Sequence, residues 1–184
     1  VSDAPGHMIT LAPGEYKLYT SKKLNNPDLT TTFTAPVAAF VPSSTSVCKG
    51  SVVSFTDNST GKPTTWIWNI GNGDLLTSQN PTTTFNTTGT YTVTLTAANA
   101  YGISTATQTI VVNDVPQVTV SNDVSICNGE SITLKATATS GTLLWSNAET
   151  TADIVVSPSI TTTYTVTATS NNCTATDEVI ATVT

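Results

Sequence analysis

Arginine is missing from this chain altogether, and six lysines stand against twelve carboxylates, for a net charge of −6. Nucleic-acid binding relies on Lys and Arg to neutralise phosphates, so that class of partner is excluded. No apolar run approaches the ~18 residues of a membrane-spanning helix, and no membrane insertion is expected. The one histidine, His7, falls in the least patterned segment. A His-based triad or a zinc site would find no partners there. No stretch joins a 3.6-residue apolar period to capping signals, so helix should be nearly absent. Charged residues make up only 10% of the 184. Disordered chains carry the opposite balance, and abundant threonine and valine point to sheet. No signal-peptide pattern is present, and the opening residues read as the interior of a longer mature protein.

What the chain does have is alternation. In Thr65-Trp66-Ile67-Trp68-Asn69-Ile70, residues Trp66, Trp68 and Ile70 stand two apart and share one face of a strand. Two indoles on one side carry a large apolar area and belong in a core. Gly71-Asn72-Gly73-Asp74 then offers turn chemistry that reverses the chain. Val53 and Phe55 share a face, as do Tyr91, Val93, Leu95 and Ala97, with Thr92, Thr94 and Thr96 on the other. That period of two marks antiparallel sheet with one wet side, and Ile110-Val111-Val112 supplies a closing strand.

A repeat organises the rest. Cys48-Lys49-Gly50-Ser51 returns as Cys127-Asn128-Gly129-Glu130-Ser131, Trp68 as Trp145, and Thr90-Tyr91-Thr92-Val93-Thr94 as Thr163-Tyr164-Thr165-Val166-Thr167. Short alternating strands, with a strand-C tryptophan and a strand-F tyrosine in each unit, describe an immunoglobulin-like sandwich. The expected fold is all-β, two tandem immunoglobulin-like β-sandwiches over 37–113 and 114–184, preceded by a β-hairpin remnant and a linker. The hairpin covers 1–20, where Ile9-Thr10-Leu11 and Tyr16-Lys17-Leu18-Tyr19 flank Ala12-Pro13-Gly14. A lone hairpin is marginal in water, so it reads as the end of an upstream β-domain. Residues 21–36, with Asn25-Asn26-Pro27-Asp28 and a threonine run, read as linker. Asn113-Asp114-Val115-Pro116 is a short junction that should leave the sandwiches end to end with limited swing.

The Trp66–Asp74 stretch resembles the PKD domain, whose signature reads W-x-W-x-F-G-D-G. Phe55-Thr56-Asp57-Asn58-Ser59, Asn80-Pro81 and Gly89-Thr90-Tyr91-Thr92-Val93 add to the resemblance, while Ile70 and Asn72 depart from it. Some PKD domains of bacterial collagenases bind calcium through clustered aspartates. The matching loop here, Asn58-Ser59-Thr60-Gly61-Lys62-Pro63, lacks that cluster. Calcium takes about 6–8 oxygen ligands, so no metal and no cofactor is expected. The second unit, with Trp145-Ser146-Asn147 and Glu149-Thr150-Thr151, resembles Ig-like repeats appended to secreted proteins of Bacteroidetes. Leu11-Ala12-Pro13-Gly14-Glu15-Tyr16 resembles the closing strands of the C-terminal β-domain of α-amylase-family glycoside hydrolases. That resemblance implies a catalytic barrel upstream.

Three cysteines leave one over. Cys127 begins the second unit's strand B and Cys173 lies near the far end of strand F. Taking those strands to run oppositely puts both at one pole, and a Cys127–Cys173 disulfide is expected. Cys48 has Ala100 where the matching partner would stand, and is expected to be a buried free thiol. A disulfide implies export to an oxidising compartment.

No catalytic constellation is found. Asp57, Asp74, Glu149 and Asp153 fall in turns or strand edges and read as solvated acids; a small sandwich offers no deep cleft for an acid pair. Trp66, Trp68, Tyr91, Trp145 and Tyr164 are assigned to the cores, the two tyrosines with hydroxyls bonding back to nearby backbone. Tyr101, in the Asn99-Ala100-Tyr101-Gly102 turn, is the candidate for exposed ligand contact. The resulting expectation is a monomeric, non-catalytic spacer of a secreted or cell-surface bacterial carbohydrate-active enzyme. Such cargo of the gliding-bacteria (type IX) secretion system commonly has this layout. The alternative is a carbohydrate-binding or adhesion module touching polysaccharide or cell-surface components through exposed aromatics.

Overall fold

In the computed structural model the described residues are Thr34–Thr184. The expected hairpin over 1–20, and the linker up to residue 33, lie outside them. Within Thr34–Thr184 there are strands, turns and bends and no helix. The first sandwich runs β1 (Phe40–Pro42), β2 (Ser46–Cys48), β3 (Val52–Asp57), β4 (Thr65–Asn69), β5 (Leu75–Leu76), β6 (Thr82–Thr84), β7 (Gly89–Asn99) and β8 (Gly102–Asn113). Its sheets are β1-β3-β6 and β2-β8-β7-β4-β5. The second runs β9 (Val118–Val120), β10 (Val124–Ile126), β11 (Ile132–Ala138), β12 (Thr142–Trp145), β13 (Asp153–Val156), β14 (Thr162–Ser170) and β15 (Cys173–Val183). Its sheets are β13-β11-β9 and β10-β15-β14-β12.

Each sandwich opens with a strand that changes sheets. β1 pairs antiparallel with β3, and after a short bend β2 pairs parallel with β8. β9 and β10 do the same against β11 and β15. The first strand thus seals an edge of both sheets, which would otherwise stand open to other chains.

The buried sides follow the period of two. Along β7, Val93, Leu95 and Ala97 are buried; along β14, Tyr164, Val166 and Ala168 are. Two separate clusters result. One gathers Phe40, Phe55, Val53, Ile70 and Leu95 around Trp68, the other Leu134, Ile154, Val166 and Val179 around Trp145. Phe40 meets the Trp68 indole edge-on at 5.0 Å between ring centres, and Phe55 lies 5.5 Å away on a tilt. Such aromatic pairs add about 0.5–1.5 kcal/mol beyond the area they bury.

The buried indole N–H groups are both satisfied. Trp68 Nε1 donates to the Ser78 carbonyl and Trp145 Nε1 to the Thr151 carbonyl, each at 2.9 Å. Left without an acceptor, such a donor would cost about 1–3 kcal/mol. Trp66 and Tyr91 are half-buried and pack against the first core from its edge.

Candidate functional site

Strand direction decides which groups meet. In the first sandwich Cys48 ends β2 opposite Asn113, the last residue of β8. The chain therefore leaves this sandwich beside Cys48, at what we term its exit pole. In the second sandwich the β14–β15 hairpin turns at Asn171-Asn172 and pairs Ser170 with Cys173. Both turn residues have positive φ, 48° and 64°, the backbone of a two-residue hairpin loop whose twist suits the flanking strands. β9 begins at the same end, with Val118 opposite Ala138 at the close of β11. Cys173 accordingly sits at the entry pole of the second sandwich, facing the exit pole of the first.

A disulfide joins the two across that junction, Cys48 to Cys173, with Cα atoms 5.6 Å apart and a sequence separation of 125. The expected Cys127–Cys173 pairing is therefore corrected, and so is the free thiol at Cys48. The reason lies in strand direction. β11 passes into β12 through residues 139–141, reversing the chain, and β12 is antiparallel to β14. So β11 and β14 run the same way, and the start of β11 and the end of β14 lie at different poles. Cys127 follows Ile126, which pairs with Val183 at the far end of β15. At about 3.3 Å per residue, the length of β15 holds Cys127 and Cys173 roughly 30 Å apart. Cys127 is the free thiol and it is exposed. The structural counterpart of Cys173 in the first sandwich is Gly102, which opens β8 after a two-residue turn, rather than Ala100.

A second built cluster surrounds Asp57. Its Oδ2 accepts from Trp66 Nε1 at 2.7 Å and from Gln79 Nε2 at 3.1 Å, while Oδ1 accepts from the Ser59 amide at 3.0 Å. The Asp57 amide in turn donates to Asn80 Oδ1 at 2.8 Å. Partial burial pushes this carboxyl up, but the hydrogen bonds from Ser59, Gln79 and Trp66 outweigh it and hold it below the usual carboxylate range. Asp57 is thus a tie between the end of β3, the start of β4 and the loop before β6, not a solvated acid. It also explains the Trp66 side chain, whose polar edge reaches this carboxylate while its body covers the core.

The other acids stay in turns and at strand edges. Asp74 accepts from Asn72 Nδ2 at 2.7 Å, and Asp153 pairs with Lys135 across exposed strands at 2.7 Å. The Glu149 amide donates to Asn147 Oδ1. Among the described residues no group of three His, Cys, Asp or Glu side chains could hold a metal ion. Tyr101 stands 56% exposed at the β7–β8 turn. Tyr91 donates to the Thr87 carbonyl at 2.8 Å, bonding back to nearby backbone. Tyr164 makes no such hydroxyl bond among the described residues; its side chain is buried in the second core.

A family model described as the PKD domain matches residues 33–114. The chain is similar to the PKD1 domain of the Vibrio cholerae metalloprotease PrtV, at 32% identity over 43% of this chain and 98% of that one, with a TM-score of 0.38. It is also similar to the PKD1 domain of Vibrio anguillarum Epp, at 30% identity over 44% of this chain and 95% of that one, TM-score 0.38. The I67–I69 I-band fragment of titin is similar at 16% identity over 81% of this chain and 65% of that one, TM-score 0.47. No curated protein matches the chain.

Proposed function

Residues 33–114 belong to the PKD domain family, and we propose that they work with the Ig-like sandwich behind them as a non-catalytic spacer in an exported bacterial protein. The observation that carries this reading is the Cys48–Cys173 bond. The sandwiches are joined once by the four residues Asp114-Val115-Pro116-Gln117 and once by the disulfide. Two attachment points on one interface remove most of the swing that a single short linker would permit. A stiffened junction serves separation; it does nothing for catalysis.

Structural disulfides persist in oxidising compartments, which supports an extracellular location. The resemblance of Leu11–Tyr16 to α-amylase-family β-domains supports a glycoside hydrolase as the parent. Its catalytic domain would then be the partner held at a distance, exported by the gliding-bacteria secretion route.

Small-angle X-ray scattering on the oxidised chain and on the Cys48→Ala/Cys173→Ala variant tests the proposal, alongside retention on insoluble starch. The spacer reading expects a narrower distribution of interdomain distances in the oxidised chain and no retention. Retention on the glycan that disappears in Tyr101→Ala would replace it with a binding module.

A further inference from the structure

We infer that the exit pole of the second sandwich is a covalent docking site for a further Ig-like module joined behind β15, with Cys127 bonding the cysteine that opens that module's last strand. The inference does not depend on the spacer reading. It rests on an equivalence within the chain between a cysteine that is paired and one that is not.

Cys48 and Cys127 occupy the same turn. The Ser51 amide donates to the Cys48 carbonyl at 3.0 Å, and the Glu130 amide to the Cys127 carbonyl at 3.1 Å. Gly50 and Gly129 both take positive φ, 85° and 89°, as the third residue of a type II turn requires. The two cysteines also hold the same place against the last strand. Cys48 lies opposite Asn113 in the parallel β2–β8 pair. Ile126 lies opposite Val183 in the parallel β10–β15 pair, and the Thr184 amide donates to the Ile126 carbonyl at 3.0 Å, with Cys127 next in line.

At the first of these positions the sulfur is bonded to Cys173, the first residue of the next sandwich's last strand. Moved along by one module, the same arrangement requires a cysteine at the first residue of a third sandwich's last strand. Nothing in the described chain meets the requirement, since Cys173 is taken and lies at the other pole. Cys127 is exposed and unpaired. Ile160, whose carbonyl accepts from Thr162 beside this pole, is 73% exposed. A following module would cover this apolar side chain.

The series also has a direction. The first sandwich carries an exit-pole cysteine but Gly102 at the entry-pole position, so it offers a bond of this kind only to the module behind it. The second carries cysteines at both positions, as an internal link would. Forming the bond takes two thiols, that of Cys127 and that of the incoming cysteine, to one disulfide. Two electrons and two protons pass to the disulfide of a thiol oxidoreductase, which leaves as a dithiol. The Cys48–Cys173 bond needs the same class of oxidant.

The test is the full chain with a second copy of residues 114–184 placed directly after Thr184, oxidised and mapped by mass spectrometry after alkylation without reduction. The expected result is a peptide linking Cys127 to the appended counterpart of Cys173, with alkylation of Cys127 reduced to background. The appended counterpart of Cys127 becomes the labelled thiol instead. A folded chain in which Cys127 remains alkylated, or bonds only to Cys127 of another molecule, overturns the inference. Should the appended copy not fold, the unextended chain still decides. Cys127 must react with a disulfide reagent under native conditions as an open thiol does, and a protected Cys127 overturns the docking site without the extension.

Discussion

Removing the junction disulfide should cost the second sandwich a large share of its stability, and the size of the loss follows from the topology. In the Cys48→Ala/Cys173→Ala variant both sulfurs are gone and no new thiol is exposed. Consider the second sandwich unfolding while the first stays folded. Cys48 is fixed opposite Asn113 by the β2–β8 pair. In the oxidised chain the unfolded segment is therefore a closed ring from Asn113 to Cys173, 173 − 113 = 60 residues. The chain-entropy relation assigns such a ring about 4 kcal/mol. A small domain has a net stability of about 5–15 kcal/mol, and a change of this size corresponds to a melting shift of about 15–30 °C. A Cys127–Cys173 bond would have closed 173 − 127 = 46 residues, for nearly the same figure. Magnitude alone does not separate the two pairings; the identity of the cysteine does. Cys127→Ala should stay within about 0.5 kcal/mol of the parent, as an exposed side chain without a partner would. Hydrogen exchange with mass spectrometry, followed in urea, reads β11 and β14 separately from β3 and β7. A loss below about 1 kcal/mol in the double variant would refute the ring argument, and so would a destabilised Cys127→Ala.

The remaining expectations concern single residues. Tyr91→Phe removes the bond to Thr87 and should cost about 1 kcal/mol in urea unfolding, whereas Tyr164→Phe removes no bond and should cost less than about 0.5. Equal losses would contradict the assignment. The lowered pKa of Asp57 means that the fold favours its charged form. Its contribution is complete above the ordinary value of about 3.9 and is withdrawn as the pH falls through the lower folded value. Asp57→Asn should therefore be less stable near neutrality and lose less of its melting temperature on acidification; a parallel acid limb would count against it. Gly141 has φ +86°, and a Cβ there would meet the Thr169 carbonyl. Gly141→Ala should cost about 2–4 kcal/mol. Gly50→Ala, with φ +85° but open space around it, should cost about 1–2 kcal/mol. Calorimetry that ranks them in reverse would show that the backbone moves aside at Gly141.

How much of this could be read in the sequence depends on whether the information is local. The period of two along Tyr91–Ala97 is local, and with the repeated tryptophan and tyrosine it gives the all-β sandwich class. The PKD resemblance rests on a contiguous stretch and was equally accessible. The Asp57 cluster was half accessible. Its residues fall in the Phe55–Ser59 and Asn80-Pro81 segments, but only the fold brings Gln79 and the Trp66 indole onto one carboxylate. Strand direction is not local at all. A period of two is unchanged when a strand is reversed, so no pattern within β11 or β14 reveals that they run the same way. The cysteine pairing inherited that ambiguity and was assigned to the wrong pole. Tyr164 differs from Tyr91 for a related reason: the same tripeptide Thr-Tyr-Thr stands near the start of both strands, and the difference lies in the Thr87 carbonyl that the preceding loop brings to Tyr91.

The sheet-switching first strand explains why the bond falls between sandwiches rather than inside one. To seal the second sheet, β2 and β10 must add to the free side of β8 and β15, and they do so in parallel. A parallel neighbour ends where the last strand ends. Whatever residue closes it is therefore delivered to the exit pole, next to the outgoing chain. The last strand, paired antiparallel with its predecessor, begins at the opposite pole beside a tight hairpin. A cysteine closing the first strand and a cysteine opening the last are thus kept a full strand length apart within one sandwich. In consecutive sandwiches they are brought face to face. The placement of Cys48 and Cys173 at those two positions makes the link between modules a consequence of the topology, and it leaves Cys127 aligned for the next one.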